Sequence, residues 1–231
     1  ELCFGAEDEI KKNIYGVGIY RFHKEKKIFK KNGKIIYALY IPYGYSGLVR
    51  SNAPIGDEWI SYMKKHEEFI TNLKDEIKKE IILRPKKRFL DYYNFKDKLE
   101  KKFPENLVEE HSSRPLKDLL TDARLLITTL DTTTILQGLA LNFPTILICD
   151  LKKLNINEDY FSYYKILHDA KILFHDFSEA KFHIEKIFSD IEGWWKKSNV
   201  QEAREIFCKK FAYHPQNQPT YFIKKLSEIK F

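Results

Sequence analysis

Apolar positions change period several times along the chain, and each change marks an element. Lys34–Pro42 (KIIYALYIP) is a near-continuous apolar run stopped by proline and followed by the loop Tyr43-Gly44-Tyr45-Ser46-Gly47. This predicts a buried strand opening an α/β unit. From Asp57 onward, Trp59, Tyr62, Met63, Phe69, Ile70, Leu73 and Ile77 recur at three- and four-residue spacing, the stripe of a long helix with one buried face. Glu80–Leu83 predicts a second strand ended by Arg84-Pro85, because the residue before proline is pushed out of helical space. Lys86–Pro104 is basic and aromatic without a usable period. Asn106–Glu110 suits a short third strand, and Pro115–Asp122 a short helix with proline in its first turn.

The clearest pattern lies in the middle of the chain. Arg124–Leu130 (RLLITTL) and Thr145–Cys149 (TILIC) are apolar, β-branched runs, and Asp131–Asn142 between them is long enough for a crossover helix. Strand, helix, strand, with both strands apolar on both faces, predicts a parallel sheet covered on two sides. The repeat continues with a helix within Glu158–Ala170, a strand at Ile172–Phe174, and then His175-Asp176. Ser178 is the expected cap of a helix whose stripe is Ala180, Ile184, Ile187, Phe188, Ile191 and Trp195. Asn199 is the expected cap of another bearing Val200, Ala203, Phe207 and Phe211, and Pro219–Ile229 predicts a last short helix. Five or six strands alternating with helices specify α/β architecture: a single doubly wound, Rossmann-like parallel sheet over residues 35–231. Residues 1–34, basic and weakly patterned, are expected to be a linker or the remnant of a preceding domain.

Composition narrows the function classes. Lys and Arg number 40 against 33 Asp and Glu, a net charge of +7 on a surface of interspersed signs, so anionic partners are favoured over cationic ones. The longest apolar runs fall far short of the roughly 20 residues that span a bilayer, and no export signal opens the chain. Cys3, Cys149 and Cys208 are too widely spaced for a disulfide framework or a metal knuckle. A cytoplasmic setting is expected, with peripheral placement at the inner face of a membrane compatible with it. The seven histidines show no HExxH, and no GxSxG or nucleic-acid-binding motif appears. Neither a metal or other cofactor nor a nucleic-acid partner is therefore expected.

Open parallel sheets bind ligands beyond the carboxyl ends of their strands. The candidates there are Tyr43–Ser46, Arg84, His111–Ser113, Asp131–Thr134, Asp150–Lys153 and His175-Asp176. Asp131, Thr132, Thr133 and Thr134 place four oxygen-bearing side chains at the start of a helix, where unpaired N–H groups and the positive end of the dipole favour phosphate. The plainer alternative is that Asp131 or Thr132 only caps the helix. Arg84 would supply a second phosphate or carboxylate contact or, alternatively, a surface salt bridge. Tyr43, Gly44 and Ser46 would close over a ligand or form an ordinary turn. His175 suits either a catalytic or a structural role, and Trp194-Trp195 suits packing of the last helices.

These residues resemble a known family. The run Ala123–Pro144, continuing into Thr145-Ile146-Leu147, is similar to the nucleotide-binding half of GT-B glycosyltransferases and of CDP-glycerol glycerophosphotransferases. There a strand, a Ser/Thr-rich turn, a helix and an Asn-x-Pro re-entry recur. Together with Ser51–Gly56, Ile191–Trp195 and Gln201–Ala212, it resembles a bacterial family of surface-polysaccharide transferases over roughly residues 35–215. The resemblance implies the C-terminal, donor-binding half of a GT-B-like enzyme. It would move a sugar or sugar-like group from a nucleotide-activated donor to a glycan or lipid-linked acceptor at the cell surface. It implies donor phosphates at Asp131–Thr134 supported by Arg84, no metal, and a catalytic base on an N-terminal acceptor half that this chain has no room for. The isolated chain would then be incomplete as an enzyme. The family's basic residue is often followed by His-Pro, and here Arg84 is followed directly by Pro85. A CDP-alcohol phosphotransferase of the same architecture, and a noncatalytic Rossmann-like domain binding nucleic acid or protein, remain the alternatives.

Overall fold

The computed structural model describes residues 2–3, 15–16, 29–39, 57–85, 94–108, 114–151, 156–213 and 217–227. Two short strands, β1 (Leu2–Cys3) and β2 (Tyr15–Gly16), pair in parallel near the start of the chain. The main sheet contains β3 (Lys34–Ala38), β4 (Ile81–Leu83), β5 (Leu107–Val108), β6 (Ala123–Thr128), β7 (Thr145–Ile148) and β8 (Leu173–Phe174). All its pairings are parallel, in the spatial order β5-β4-β3-β6-β7-β8. Renumbered along the sheet this is 3-2-1-4-5-6, the Rossmann order. The predicted doubly wound α/β fold is therefore the observed one.

Helices connect the strands. They are α1 (Asp57–Asn72), α2 (Asp75–Lys78), α3 (Phe95–Lys102), α4 (Leu116–Leu120), α5 (Thr133–Ala140), α6 (Phe161–Asp169), α7 (Phe177–Ile187), α8 (Ile191–Trp195), α9 (Ser198–Phe211) and α10 (Gln218–Ser227). Alternation along β3 divides the core. Ile35, Tyr37 and Leu39 join the large cluster that includes Phe69 and Ile70 of α1, whereas Ile36 joins a smaller one with Leu116, Leu119 and Leu120 of α4. Leu125 and Ile127 of β6 go with the first and Leu126 with the second, as the two-residue period of a strand requires. No described helix is long and apolar enough to cross a membrane.

Several boundaries differ from the sequence expectation for identifiable reasons. The single helix expected over Asp57–Ile77 is two, because the chain turns at Leu73-Lys74 before α2. The helix expected to run from Ser178 through Trp195 also divides, with Asp190 starting α8 by accepting from the Gly193 N–H at 2.9 Å. Asp176, not Ser178, caps α7: its Oδ1 accepts from the N–H groups of Ser178 and Glu179 at 2.8 and 2.9 Å. Helix α9 starts at Ser198 rather than after an Asn199 cap. Within the unassigned stretch Lys86–Pro104, residues 95–102 form α3.

Two crossovers end in the same device. After α5, Asn142 adopts φ 52°, with Phe143 N–H donating to the Gly138 carbonyl at 2.9 Å and Asn142 N–H to Leu139 at 3.0 Å. After α6, Lys171 adopts φ 60°, with Ile172 N–H bonded to the Leu167 carbonyl and Lys171 N–H to His168. Both are Schellman closures, which satisfy the last helical carbonyls and reverse the chain into the next strand.

Residues 29–34 reach the sheet. Lys30 N–H donates to the Ala123 carbonyl and Lys34 N–H to Asp122, at 3.1 and 2.9 Å. A Cβ on Gly33 would lie 2.6 Å from the Asp122 oxygen and the Ala123 carbonyl carbon, so only glycine admits this approach.

Candidate functional site

The strand order reverses direction between β3 and β6: the chain leaves β3 toward β4 on one side and leaves β6 toward β7 on the other. The crevice of such a sheet opens at that switch point, beyond the paired ends Ala38 and Thr128. The next residues of β6 are Thr129, Leu130 and Asp131, and then α5 begins. The sequence-predicted turn Asp131–Thr134 therefore stands beside the switch point.

Local chemistry separates its four residues. Thr132 has extended backbone (φ −134°, ψ 175°) and is the N-cap, its Oγ1 accepting from the Thr134 N–H at 3.3 Å. The Ile135 N–H returns to the Thr132 carbonyl at 3.2 Å. Thr133 is exposed and Thr134 half-buried, so their hydroxyls border the same first turn, at the positive end of the α5 dipole. Asp131 does not cap. Its Oδ2 accepts the hydroxyl proton of Tyr164 on α6 at 2.5 Å. Burial raises the Asp131 carboxyl above the usual carboxylate range, and the Tyr164 hydrogen bond opposes this. The Tyr164 phenol is itself raised by burial and by the Asp131 charge. Phe207 and Phe211 of α9 hold the Tyr164 ring, with centroids 5.4 and 5.9 Å away.

On the other side of the crevice, helix α1 ties the two central strands together. Tyr62 donates its hydroxyl to Thr129 Oγ1, and Thr129 donates to the Ala38 carbonyl at 3.3 Å. One turn along, His66 Nδ1 and the Tyr37 hydroxyl lie 2.6 Å apart, buried against Phe177. Burial, with Lys65 adding, holds His66 down to about 3. It is a neutral structural partner, not a proton-transfer group at neutral pH. The sequence pattern had marked Tyr62 only as an apolar stripe position and singled out neither His66, Thr129 nor Tyr164. For His66 and Tyr164, polar residues at helical core positions were the available signal.

Arg84 sits at the carboxyl end of β4, so β3 separates it from β6; two strand spacings make roughly 10 Å. Its backbone N–H donates to the Tyr37 carbonyl. The side chain is only 3% exposed and donates from Nη2 to the Arg114 carbonyl at 3.0 Å. The guanidinium is thus buried rather than at the surface, and part of it anchors the start of α4. His175, two strands from β6 on the other side, is exposed; its Nδ1 contacts the Cys149 carbonyl at 3.0 Å and its ring stacks on His168. Asp150 is exposed at the end of β7. Cys149, behind Asp131, is pushed up to about 12 by burial, so its thiol is no nucleophile. Among the described residues, no three His, Cys, Asp or Glu side chains converge as a metal site. Tyr43, Gly44 and Ser46, like His111–Ser113 and Lys152-Lys153, lie outside the described residues.

Comparison with known proteins adds one finding. The family model described as LIC12162 family transferase matches residues 2–226, nearly the whole chain. No curated protein matches it.

Proposed function

This chain belongs to the LIC12162 family of transferases, and on that premise we propose that it is the donor-binding half of a GT-B-like transferase. It would take a nucleotide-activated sugar or sugar-like donor and pass the group to a cell-surface glycan or lipid-linked acceptor. The observation that carries this reading is the start of α5. A threonine-capped helix N-terminus, with two more threonines in its first turn, stands at the switch point of a sheet in Rossmann order. Anionic phosphates are favoured there by the dipole and by unpaired N–H groups. In this reading the Thr132–Thr134 turn holds the donor diphosphate, Arg84 supports it from β4, and Tyr43–Ser46 border the ligand. As the donor bond breaks, negative charge grows on the departing phosphate, and the fixed donors of this turn stabilise it without reorganising. A base on an acceptor half deprotonates the incoming hydroxyl.

Titration calorimetry with UDP, CMP, CDP and GDP tests the reading. Saturable binding of one of these, weakened at least tenfold by Thr133→Val, is the expected outcome, and the preferred base identifies the donor class. A preference for CDP would point to the alcohol-phosphate branch of the same architecture. If no nucleotide binds, or if Thr133→Val and Thr132→Val bind like the parent chain, the reading fails. Steeply salt-dependent binding to oligonucleotides instead would favour a noncatalytic nucleic-acid-binding domain.

A further inference from the structure

Helix α10 carries an apolar stripe that faces away from the protein. Ile223 is 66% exposed and Leu226 39%, and Pro219 is exposed too. At about 100° per residue these three fall within an arc of about 60°, whereas the stripe of an ordinary surface helix faces its own core. On the inward side, Tyr221 packs edge-on against Tyr213 with ring centroids 5.6 Å apart, and Tyr221, Phe222 and Lys225 are half-buried. The charge of the helix has one sign. Gln218–Ser227 contains Lys224 and Lys225 and no acid, and on the wheel these lysines flank the apolar arc at about 100° on either side. The last turn of the neighbouring α9 adds Lys209 and Lys210.

We infer that α10 is an interfacial anchor that docks this chain on an anionic lipid bilayer. Ile223, Leu226 and Pro219 enter the boundary between headgroups and acyl chains, and the exposed Lys224 reaches lipid phosphates by extending along the surface. The inference stands apart from the nucleotide reading and uses none of its residues. Three small apolar side chains are far less than the roughly 800 Å² per partner of a stable protein interface. Self-association through this face would also set Lys224 and Lys225 of one copy against the same residues of the other, a like-charge clash. A bilayer accepts a small apolar arc and supplies the missing negative charge. With one short arc and a few lysines, the docking is weak and reversible.

Co-sedimentation of this chain with large vesicles tests the anchor, using phosphatidylcholine alone and a mixture of one part phosphatidylglycerol to two parts phosphatidylcholine. Binding to the mixed vesicles only is expected, with loss on raising salt from about 0.1 M to about 0.5 M. Lys224→Gln should weaken binding about fivefold. Ile223→Asp combined with Leu226→Asp should abolish it while leaving the circular dichroism spectrum and the monomer mass unchanged. The inference is overturned if the parent chain stays in solution with mixed vesicles, or if the double Asp variant binds as well as the parent. It is also overturned if sedimentation shows a dimer that the double Asp variant dissolves, which would assign the face to a second copy.

Discussion

Gly138 tests whether α5, the helix that presents the threonine turn, is placed by close packing. A Cβ built at this position overlaps Thr145 Oγ1 outright and lies 2.9 Å from Leu126 Cδ2, and both residues are fully buried in the adjacent strands. Thr145 cannot step aside freely, because its hydroxyl donates to the Phe143 carbonyl at 2.7 Å in the interior. Overpacking of a rigid core costs about 1–3 kcal/mol, and a buried hydroxyl or carbonyl left unpaired a further 1–3 or so. The better helix propensity of alanine returns about 1 kcal/mol. Gly138→Ala should therefore destabilise by about 3 kcal/mol, read as a lower urea midpoint at unchanged slope. Thr145→Ala removes the overlapping atom. The double variant should be more stable than the sum of the two single costs by about 1 kcal/mol or more. Because α5 moves with its contacts, Gly138→Ala should also weaken any nucleotide bound at Thr132–Thr134. A Gly138→Ala protein as stable as the parent, or strictly additive costs in the double variant, would refute the close-packing argument.

Three further tests address the site. Thr132→Ala should cost about 1 kcal/mol through the lost cap, whereas Thr133→Val, at an exposed position, should change stability by no more than about 0.5 kcal/mol. If both lower nucleotide affinity, the binding role is separated from the cap. Tyr164→Phe leaves the half-buried Asp131 carboxyl without this donor and should cost about 1–3 kcal/mol. It should also raise the pH at which Asp131 titrates, followed by the carboxyl carbon resonance; an unmoved titration would show that the hydroxyl does not hold the carboxylate. His66 titrates at about 3 in the folded protein against roughly 6.5 when unfolded. Across that window the unfolded state binds the extra proton, so this contribution to stability is complete above about pH 6.5 and falls by about 1.4 kcal/mol per unit as pH drops toward 3. His66→Gln should therefore lose stability less steeply than the parent between about pH 6 and about pH 5; equal slopes would contradict a neutral buried His66.

What was legible in the sequence was whatever chain-local physics controls. Arg124–Leu130 and Thr145–Cys149 announced β6 and β7, because strands covered on both faces admit no polar alternation. Asn142-Phe143-Pro144 announced the exit from α5, because asparagine tolerates the left-handed position and proline cannot continue a helix. Helix α3 was invisible: Leu99 and Phe103 are the buried residues at its inner side, too few to set a period among so many charges. Sequence left the cap open between Asp131 and Thr132, and the structure assigns it to Thr132. Tyr164, which Asp131 contacts, and the Arg114 carbonyl, which Arg84 contacts, are 33 and 30 residues away. One of them is a backbone oxygen that no sequence pattern distinguishes.

Those two partners decide how much chemistry the turn can supply. Arg84 was expected to supply a supporting phosphate contact, and one of its donors goes to the Arg114 carbonyl. Asp131, which would repel a phosphate if it faced the turn, has Oδ2 drawn to Tyr164. The first turn of α5 then acts chiefly through its dipole and its threonine oxygens. A helix terminus contributes typically 0.3–1 kcal/mol and at most about 2 to a neighbouring charge, roughly a thirtyfold effect. Enzymatic rate enhancements begin at about a millionfold, or about 8 kcal/mol. On the proposed reading, the described turn would hold and orient a donor but falls about 6 kcal/mol short of catalysing its transfer. The remainder must come from groups outside the turn. On the proposed reading, with the base on a separate acceptor half, this chain alone should bind its nucleotide yet release sugar from the donor at most about thirtyfold faster than buffer does. Turnover by the isolated chain well beyond that factor, measured as free nucleotide formed over hours, would mean that a strong charge-stabilising group stands closer to Thr132–Thr134 than Arg84 does.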